Sequence, residues 1–384
     1  MRRAGIYIHV PFCRSRCSYC DFATGAYEGA LAERYVRALA REIGSFDRGV
    51  GDEVDTSGEV DTVYFGGGTP SLLTPEQVAR VLEAVGRRFR VRPDAEVTLE
   101  MNPGTVTGEH LSALRDAGVN RASFGAQTFD ERELKRLGRT HTADDTRRTF
   151  ELLRESGFRN VSFDLIAGLP AQTLAAWRRN LEEALRLRPE HLSLYLLEVH
   201  EGTPLAEQIR AGRYSDPDPD LAAEMYRLMV ELTREAGYEQ YEISNFCLAG
   251  RESRHNMKYW TGAPYFGFGC SAHSFDGGRA RWSNERDALS YVRLIEEKGR
   301  AVVTRDELDE RVASSEALFL GLRLLGRGVN LAEHRERYRR DVRADFAEDL
   351  ARFGEAGLIE MRGDTLRLTP AGALLSNEVF SAFV

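Results

Sequence analysis

The chain has 384 residues, 42% of them hydrophobic and 29% charged, with a formal net charge of −8. That length suits two or three domains, or one α/β barrel with an appendage. The acidic balance argues against a dedicated nucleic-acid binder, which needs a basic surplus to displace counterions from phosphates.

No stretch approaches the ~18 uninterrupted apolar residues of a membrane span. The N-terminal run Ala4–Phe12 is broken by His9 and Pro11 and has no small-residue cleavage site, so a cytoplasmic protein is expected. Six short apolar runs then recur: Gly5–Val10, Thr62–Phe65, Glu96–Glu100, Arg121–Phe124, Asn160–Ile166 and His191–Leu197. Between them, Ala30–Ile43, Pro75–Phe89, Thr107–Ala117, Asp144–Ser156 and Leu174–Leu187 carry helical periodicity. Thr74-Pro75-Glu76 places a capping residue before a first-turn proline. Alternating strands and helices imply a parallel sheet. The fold class is therefore α/β, a partial (β/α)6 barrel over residues 1–240.

The Gly-, Asp- and Glu-rich stretch Asp47–Asp61 reads as an acidic surface loop. Residues 241–304 read as a connecting segment that carries a distinctive motif. From about residue 305 helices lead to Leu358–Leu368, which contains an Arg362-Gly363-Asp364 turn. This predicts a small C-terminal helical, winged-helix-like domain over 305–384. In Glu333–Arg352, Arg335, Arg337, Arg339, Arg340, Arg343 and Arg352 are balanced by Glu333, Glu336, Asp341, Asp345, Glu348 and Asp349. Such a domain is expected to cover the barrel mouth or dock a protein partner, with no nucleic acid bound.

Functional residues of a β/α barrel gather at the C-terminal ends of its strands. Here Cys13, Cys17 and Cys20 follow the first strand and Gly66-Gly67-Gly68-Thr69-Pro70 the second. Glu100 ends the third, Gln127 follows the fourth, Asp164 ends the fifth and Glu198 follows the sixth. Three cysteines in one short loop are free thiols, part of a zinc site, or ligands of an iron–sulfur cluster. Zinc wants four closed ligands, and no fourth Cys or His stands at the usual spacing. Thiolates suit a 4Fe–4S cube, and three of them leave one iron open for an exogenous ligand. The glycines permit close backbone approach; no Gly-Lys-Ser/Thr follows, so this is not a phosphate loop.

The loop Cys13-x3-Cys17-x2-Cys20 after a first barrel strand resembles the radical S-adenosylmethionine (SAM) superfamily. That resemblance implies a 4Fe–4S cluster whose open iron is chelated by the amino and carboxylate groups of SAM. An electron from the cluster then cleaves the sulfonium to a 5′-deoxyadenosyl radical. A finer similarity, over essentially the whole chain, is to the oxygen-independent coproporphyrinogen III oxidase family. It rests on Tyr7–Cys13, Gly66–Pro70, Glu100 with Asn102-Pro103, Gly125-Ala126-Gln127 and Asp164–Pro170. It implies that Tyr7, Tyr19, Gly67 and Glu100 touch the cluster-bound SAM. Gly68, Thr69, Gln127, Arg139 and Asp164 match positions that line a second SAM in the oxidase branch.

Two departures separate the chain from true oxidases. Those have a further cysteine two residues after the last ligand, where this chain has Phe22, and an extension before the first strand, which begins here near residue five. Both features resemble the heme-chaperone branch, as does the His-Asn-x-x-Tyr-Trp motif, His255-Asn256-Met257-Lys258-Tyr259-Trp260. Gly267–His273 is likewise family-like. The resemblance implies heme contact through His255, Asn256, Tyr259 and Trp260. A neutral imidazole can ligate iron and the rings offer flat apolar surface; Arg251, Arg254 and Lys258 are expected to pair with propionates.

His9 and His273 read as structural, and Cys247 and Cys270 as small buried hydrophobes. The expected function is to bind heme and deliver it to acceptor hemoproteins, respiratory enzymes by resemblance. An electron donor is a further expected partner; a homodimer and peripheral membrane association stay open. The alternatives are coproporphyrinogen III decarboxylation or another radical SAM reaction on a tetrapyrrole.

Overall fold

The computed structural model describes residues 3–46 and 58–383. Six parallel strands run side by side in chain order: β1 (Ala4–Val10), β2 (Glu59–Gly67), β3 (Arg90–Met101), β4 (Arg121–Gln127), β5 (Val161–Ala167) and β6 (His191–Leu196). The crossovers include α1 (Gly29–Ser45), α2 (Pro75–Arg88), α3 (Gly108–Asp116), α4 (Ala143–Glu155) and α5 (Leu174–Leu187). The Thr74 signal works as a reciprocal cap: Thr74 Oγ1 accepts from Gln77 N (3.3 Å) while Gln77 Oε1 accepts from Thr74 N (3.0 Å).

Strand side chains alternate between two faces. Phe124 of β4 and Phe163 of β5 pack with Phe150 of α4 on the outer, helix-covered face. The intervening Ser123, Gly125 and Asp164 therefore turn to the barrel interior. This periodicity divides apolar core from polar site.

Residues 241–304 do more than connect. The sheet has twelve strands, six of them later in the chain: β7 (Glu239–Gln240), β8 (Asn245–Cys247), β9 (Tyr265–Phe268), β10 (His273–Phe275), β11 (Ala280–Asn284) and β12 (Val302–Glu307). β8 lies antiparallel to β6, while β9 lies parallel to β1 and leads to the antiparallel β10–β12. Both edges of the barrel sheet are thus extended by this segment. Between β8 and β9 sits a short helix, α6 (Asn256–Thr261), which carries the histidine motif.

The C-terminal part contains α7 (Glu310–Leu322), α8 (Leu331–Tyr338) and a three-stranded sheet of β13 (Val329–Asn330), β14 (Ile359–Arg362) and β15 (Thr365–Leu368). Gly363, with φ +61°, makes the tight turn between β14 and β15. Leu318 and Leu322 of α7 are fully buried in one apolar core with Phe266 and Trp282 of the barrel sheet. Residues 47–57 of the expected acidic loop lie outside the described residues. Among the described residues no helix is long and apolar enough to cross a membrane.

Candidate functional site

The cysteine loop is held by its own backbone and by three neighbouring loops. Phe12–Cys13 pairs in parallel with Gly25–Ala26, Ser18 N donates to Leu137 O (2.9 Å) and Leu205 N donates to Ser18 O (2.8 Å). The Arg16 guanidinium folds back onto Cys20 O (2.9 Å). All three cysteines are free and half-buried. Burial raises the thiol pKa of Cys13 and Cys20, and the charge of Cys17 raises both further, which places the three sulfurs within one electrostatic neighbourhood. Two groups offset that cost. Thr69 Oγ1 stands 3.6 Å from Cys13 Sγ, and Arg139 Nη1 stands 3.5 Å from Cys17 Sγ.

The glycine run abuts this loop. Gly68 N donates to Val10 O (2.8 Å) and Thr69 N to Phe12 O (2.8 Å). A Cβ on Gly68 would sit 2.6 Å from Phe12 O and 3.0 Å from Cys13 Sγ. Gly67 has φ +111°, and its Cβ would press into the His9 ring at 2.6 Å. Only glycine fits both places.

His9 Nε2 donates to Ala23 O (3.0 Å), so Nδ1 accepts from Tyr7 OH (3.2 Å), a structural role. Glu100 is held by two donors, Tyr64 OH (2.6 Å) and Gly67 N (3.1 Å). Burial pushes its carboxyl up to about 7, and the nearby Asp164 adds to the shift. Burial likewise raises Asp164, which accepts from Ser193.

Arg139 ties the remaining rim residues together. It donates to Asn102 Oδ1 (2.9 Å) and to Gly125 O (2.5 Å), and Asn102 Nδ2 donates to Thr69 Oγ1 (2.9 Å). Gln127 takes φ +64°, rare for a side-chain-bearing residue, at a register irregularity of β4. A Cβ on Gly125 would lie 2.4 Å from Gln127 Nε2, so a larger residue there would push the Gln127 amide aside. Tyr19 packs against Leu137, Ile166 and Leu169. These contacts gather the cysteine loop, the glycine run, Glu100, Asn102, Gly125 and Arg139 at the rim, whereas Glu198 is exposed beside His200 (3.8 Å).

Among the described residues, no three His, Cys, Asp or Glu side chains converge on one point as a single ion would need. A cube spreads its thiolates over separate irons and has no such requirement. Soft thiols, a glycine floor pressed against one of them and a fixed carboxylate fit a cluster with SAM.

The histidine motif approaches from the other end of the strands. His255 is 1% exposed, with Nδ1 2.9 Å from Thr62 Oγ1 and Nε2 3.0 Å from Tyr259 OH. Thr62 precedes Gly67 by five residues on β2, about 16 Å of extended strand. Burial, with Lys258 and Arg121 adding, lowers the imidazole to about 3, so it stays neutral. Its ring stacks on Tyr64 at 5.1 Å, and Tyr64 in turn donates to Glu100 at the rim. Glu96 caps the motif by accepting from Arg254 N (3.2 Å) and His255 N (3.1 Å).

Two residues expected to meet propionates are otherwise engaged. Lys258 is 6% exposed and pairs with Asp61, while Arg254 lies 3.6 Å from the same carboxylate. Asn256 is half-buried, and Tyr259 meets Tyr265 edge-on at 4.7 Å. Trp260 faces the C-terminal domain, under the Arg323 guanidinium at 4.3 Å. His273 is exposed; Cys247 and Cys270 are fully buried. Thr62, Tyr64, Glu96 and Arg323 escaped sequence reasoning. Alternation along β2 could have pointed inward at Thr62 and Tyr64; nothing local marks the others.

Comparison with known proteins agrees with this geometry. Residues 7–184 match the Radical SAM superfamily and residues 308–375 the HemN C-terminal domain. The chain is 38% identical to the heme chaperone HemW of Bacillus subtilis (strain 168), over 98% of both chains. It is 35% identical to the heme chaperone HemW of Mycobacterium tuberculosis (strain ATCC 25618 / H37Rv), over 98% of this chain and 93% of that one. Radical S-adenosyl methionine domain-containing protein 1, mitochondrial, of Bos taurus is 40% identical over 84% of this chain and 73% of its own. The solved structure of coproporphyrinogen III oxidase (HemN) from Escherichia coli, a radical SAM enzyme, covers 100% of this chain and 90% of its own, with a TM-score of 0.85. At 23% identity that likeness establishes the fold alone. Full-length identity to relatives carrying one name, on a rim built from cysteines and glycines, shows that the chain belongs to the heme chaperone HemW family of radical SAM proteins.

Proposed function

We propose that this protein binds heme and passes it to acceptor hemoproteins, respiratory enzymes among them. The observation that carries the reading is the intact His255-Asn256-x-x-Tyr259-Trp260 motif, set on a helix of its own in a chain whose full-length relatives are heme chaperones. Cys13, Cys17 and Cys20 are the ligands assigned to a 4Fe–4S cluster. Tyr7, Tyr19, Gly67, Gly68, Thr69, Glu100, Gln127, Arg139 and Asp164 are assigned to SAM.

When bound, the cluster and SAM supply one-electron chemistry, fed by an external electron donor. The chain's own contribution is positional. Arg139 places a cation beside Cys17 and Asn102, Glu100 presents a carboxylate already oriented by two donors, and Gly67–Gly68 keep side chains out of the floor.

At the other end, neutrality suits His255 to iron. Nε2 becomes available only when the Tyr259 hydroxyl lets go, while Thr62 keeps Nδ1 oriented. The test is anaerobic reconstitution followed by heme titration and transfer to an apo-hemoprotein. Wild type should bind and deliver heme, and His255→Ala should weaken binding or shift the Soret band while sparing the cluster. Protoporphyrinogen IX formation from coproporphyrinogen III, with no measurable heme binding, would overturn the reading in favour of an oxidase.

A further inference from the structure

The structure commits two of the three cations expected beside the motif, Lys258 and Arg254, to Asp61, which leaves the exposed Arg251 as the remaining expected partner of the heme propionates there. It supplies others from the far side of α6. A cavity of about 260 Å³ lies between that helix and the C-terminal domain, walled by Trp260, Leu324, Arg327, Val329, His334 and Arg337.

Its chemistry is that of an anion site with one flat wall. Arg327 is exposed and makes no hydrogen bond or ion pair among the described residues. Arg337 is anchored on Gly262 O (2.9 Å) and Gly277 O (2.7 Å), which holds a second positive charge in place. Glu333 is the only acid in the lining. Trp260 contributes only the flat wall, because its indole Nε1 is sealed off from the cavity.

The size decides what can enter. Pockets that enclose a whole drug-sized ligand run to roughly 300–1,000 Å³. This one admits an edge of a macrocycle and not the whole of it. Of the edges of heme, the one bearing carboxylates matches two arginines; the vinyl and methyl edges do not.

We infer that this seam cavity receives the propionate edge of heme, with Arg327 as the cation that engages a carboxylate and Trp260 as the wall beside it. The inference rests on the chaperone reading above. It assigns a recognition role to the C-terminal domain, which supplies Arg327.

The experiment titrates the full-length wild-type protein and Arg327→Gln with heme and with heme dimethyl ester, whose propionates are capped, following the Soret band. Wild type should prefer heme over the diester by about 10-fold, the scale of one charge-assisted hydrogen bond. Arg327→Gln should lose that preference by weakening heme binding alone, and Arg327→Lys should restore part of it. Because Arg327 is exposed, the variants should fold; an unchanged circular dichroism spectrum checks this. Equal wild-type affinity for heme and diester overturns the site and leaves the chaperone reading standing, as does a preference that survives in Arg327→Gln. A wild type that binds neither overturns the chaperone reading and the site with it.

Discussion

At the rim, the cysteine loop and the glycine run are held by backbone hydrogen bonds and by the absence of side chains, so their shape is written into a few adjacent residues. At the inner end, His255 is held by Thr62, Tyr64 and Glu96 from strands some 160 to 190 positions earlier in the chain, none of which resembles a motif. Burial shifts one titratable group at each end toward its neutral form: a carboxyl raised to about 7 at the rim and an imidazole lowered to about 3 within. A local site tolerates changes elsewhere in the chain. A site assembled at long range couples its chemistry to the packing of the whole barrel.

The largest expected effect tests whether the two ends are separable. Cys17→Ala should abolish the cluster's absorbance after reconstitution, because two thiolates retain a cube poorly, yet keep heme binding. Alanine at Cys247 or Cys270 should leave the cluster intact. Loss of heme binding together with the cluster would show that the ends form one site.

Next comes the glycine floor. Gly67→Ala forces an alanine into a left-handed conformation and against His9, and should destabilise the fold by about 1–3 kcal/mol. Chemical denaturation of the cluster-free protein measures this, and an unchanged midpoint would mean that the rim is looser than its geometry.

The two buried titratable groups give opposite pH dependences. Glu100 binds its proton more tightly folded than unfolded, so its contribution is complete below the ordinary carboxylate range and is lost as pH rises through about 7. His255 resists its proton when folded, so its contribution is complete above the ordinary imidazole value and falls as the unfolded chain protonates below about 6.5. Stability should peak between these flanks, each limb bounded at about 1.4 kcal/mol per pH unit for one proton. Glu100→Gln should flatten the alkaline limb and His255→Ala the acid limb; flattening of the opposite limb by either would reverse the assignment.

The smallest change concerns Thr62. Thr62→Val keeps the shape but removes the partner of His255 Nδ1, at a cost of about 1 kcal/mol. It should shift the Soret spectrum of bound heme without moving the cluster absorbance. An identical spectrum would mean that Thr62 does not orient the ring.

The six parallel strands and their helices were legible because each pairs a long amphipathic helix with an apolar run, and those periodicities depend on neighbours in the chain. The added strands β7–β11 were not. They are two to five residues long, too short for alternation to be told from chance, and they exist because β1 and β6 offer unpaired edges. The cysteines, the glycine run and the motif announced themselves by residue type and spacing. The partners of that motif did not.

What the amino-acid sequence determined by itself was therefore the barrel's repeating unit and the inventory of soft ligands, glycines and aromatics. Such features are fixed by local backbone preference and by side-chain chemistry. What only the tertiary structure decided was direction and company. It set the cysteines and His255 at opposite ends of β2, committed Lys258 to Asp61, and brought Arg327 and Arg337 up to Trp260. Those pairings depend on which surfaces meet when the apolar core closes, and burial, being non-directional, leaves no mark of them in any short stretch of chain.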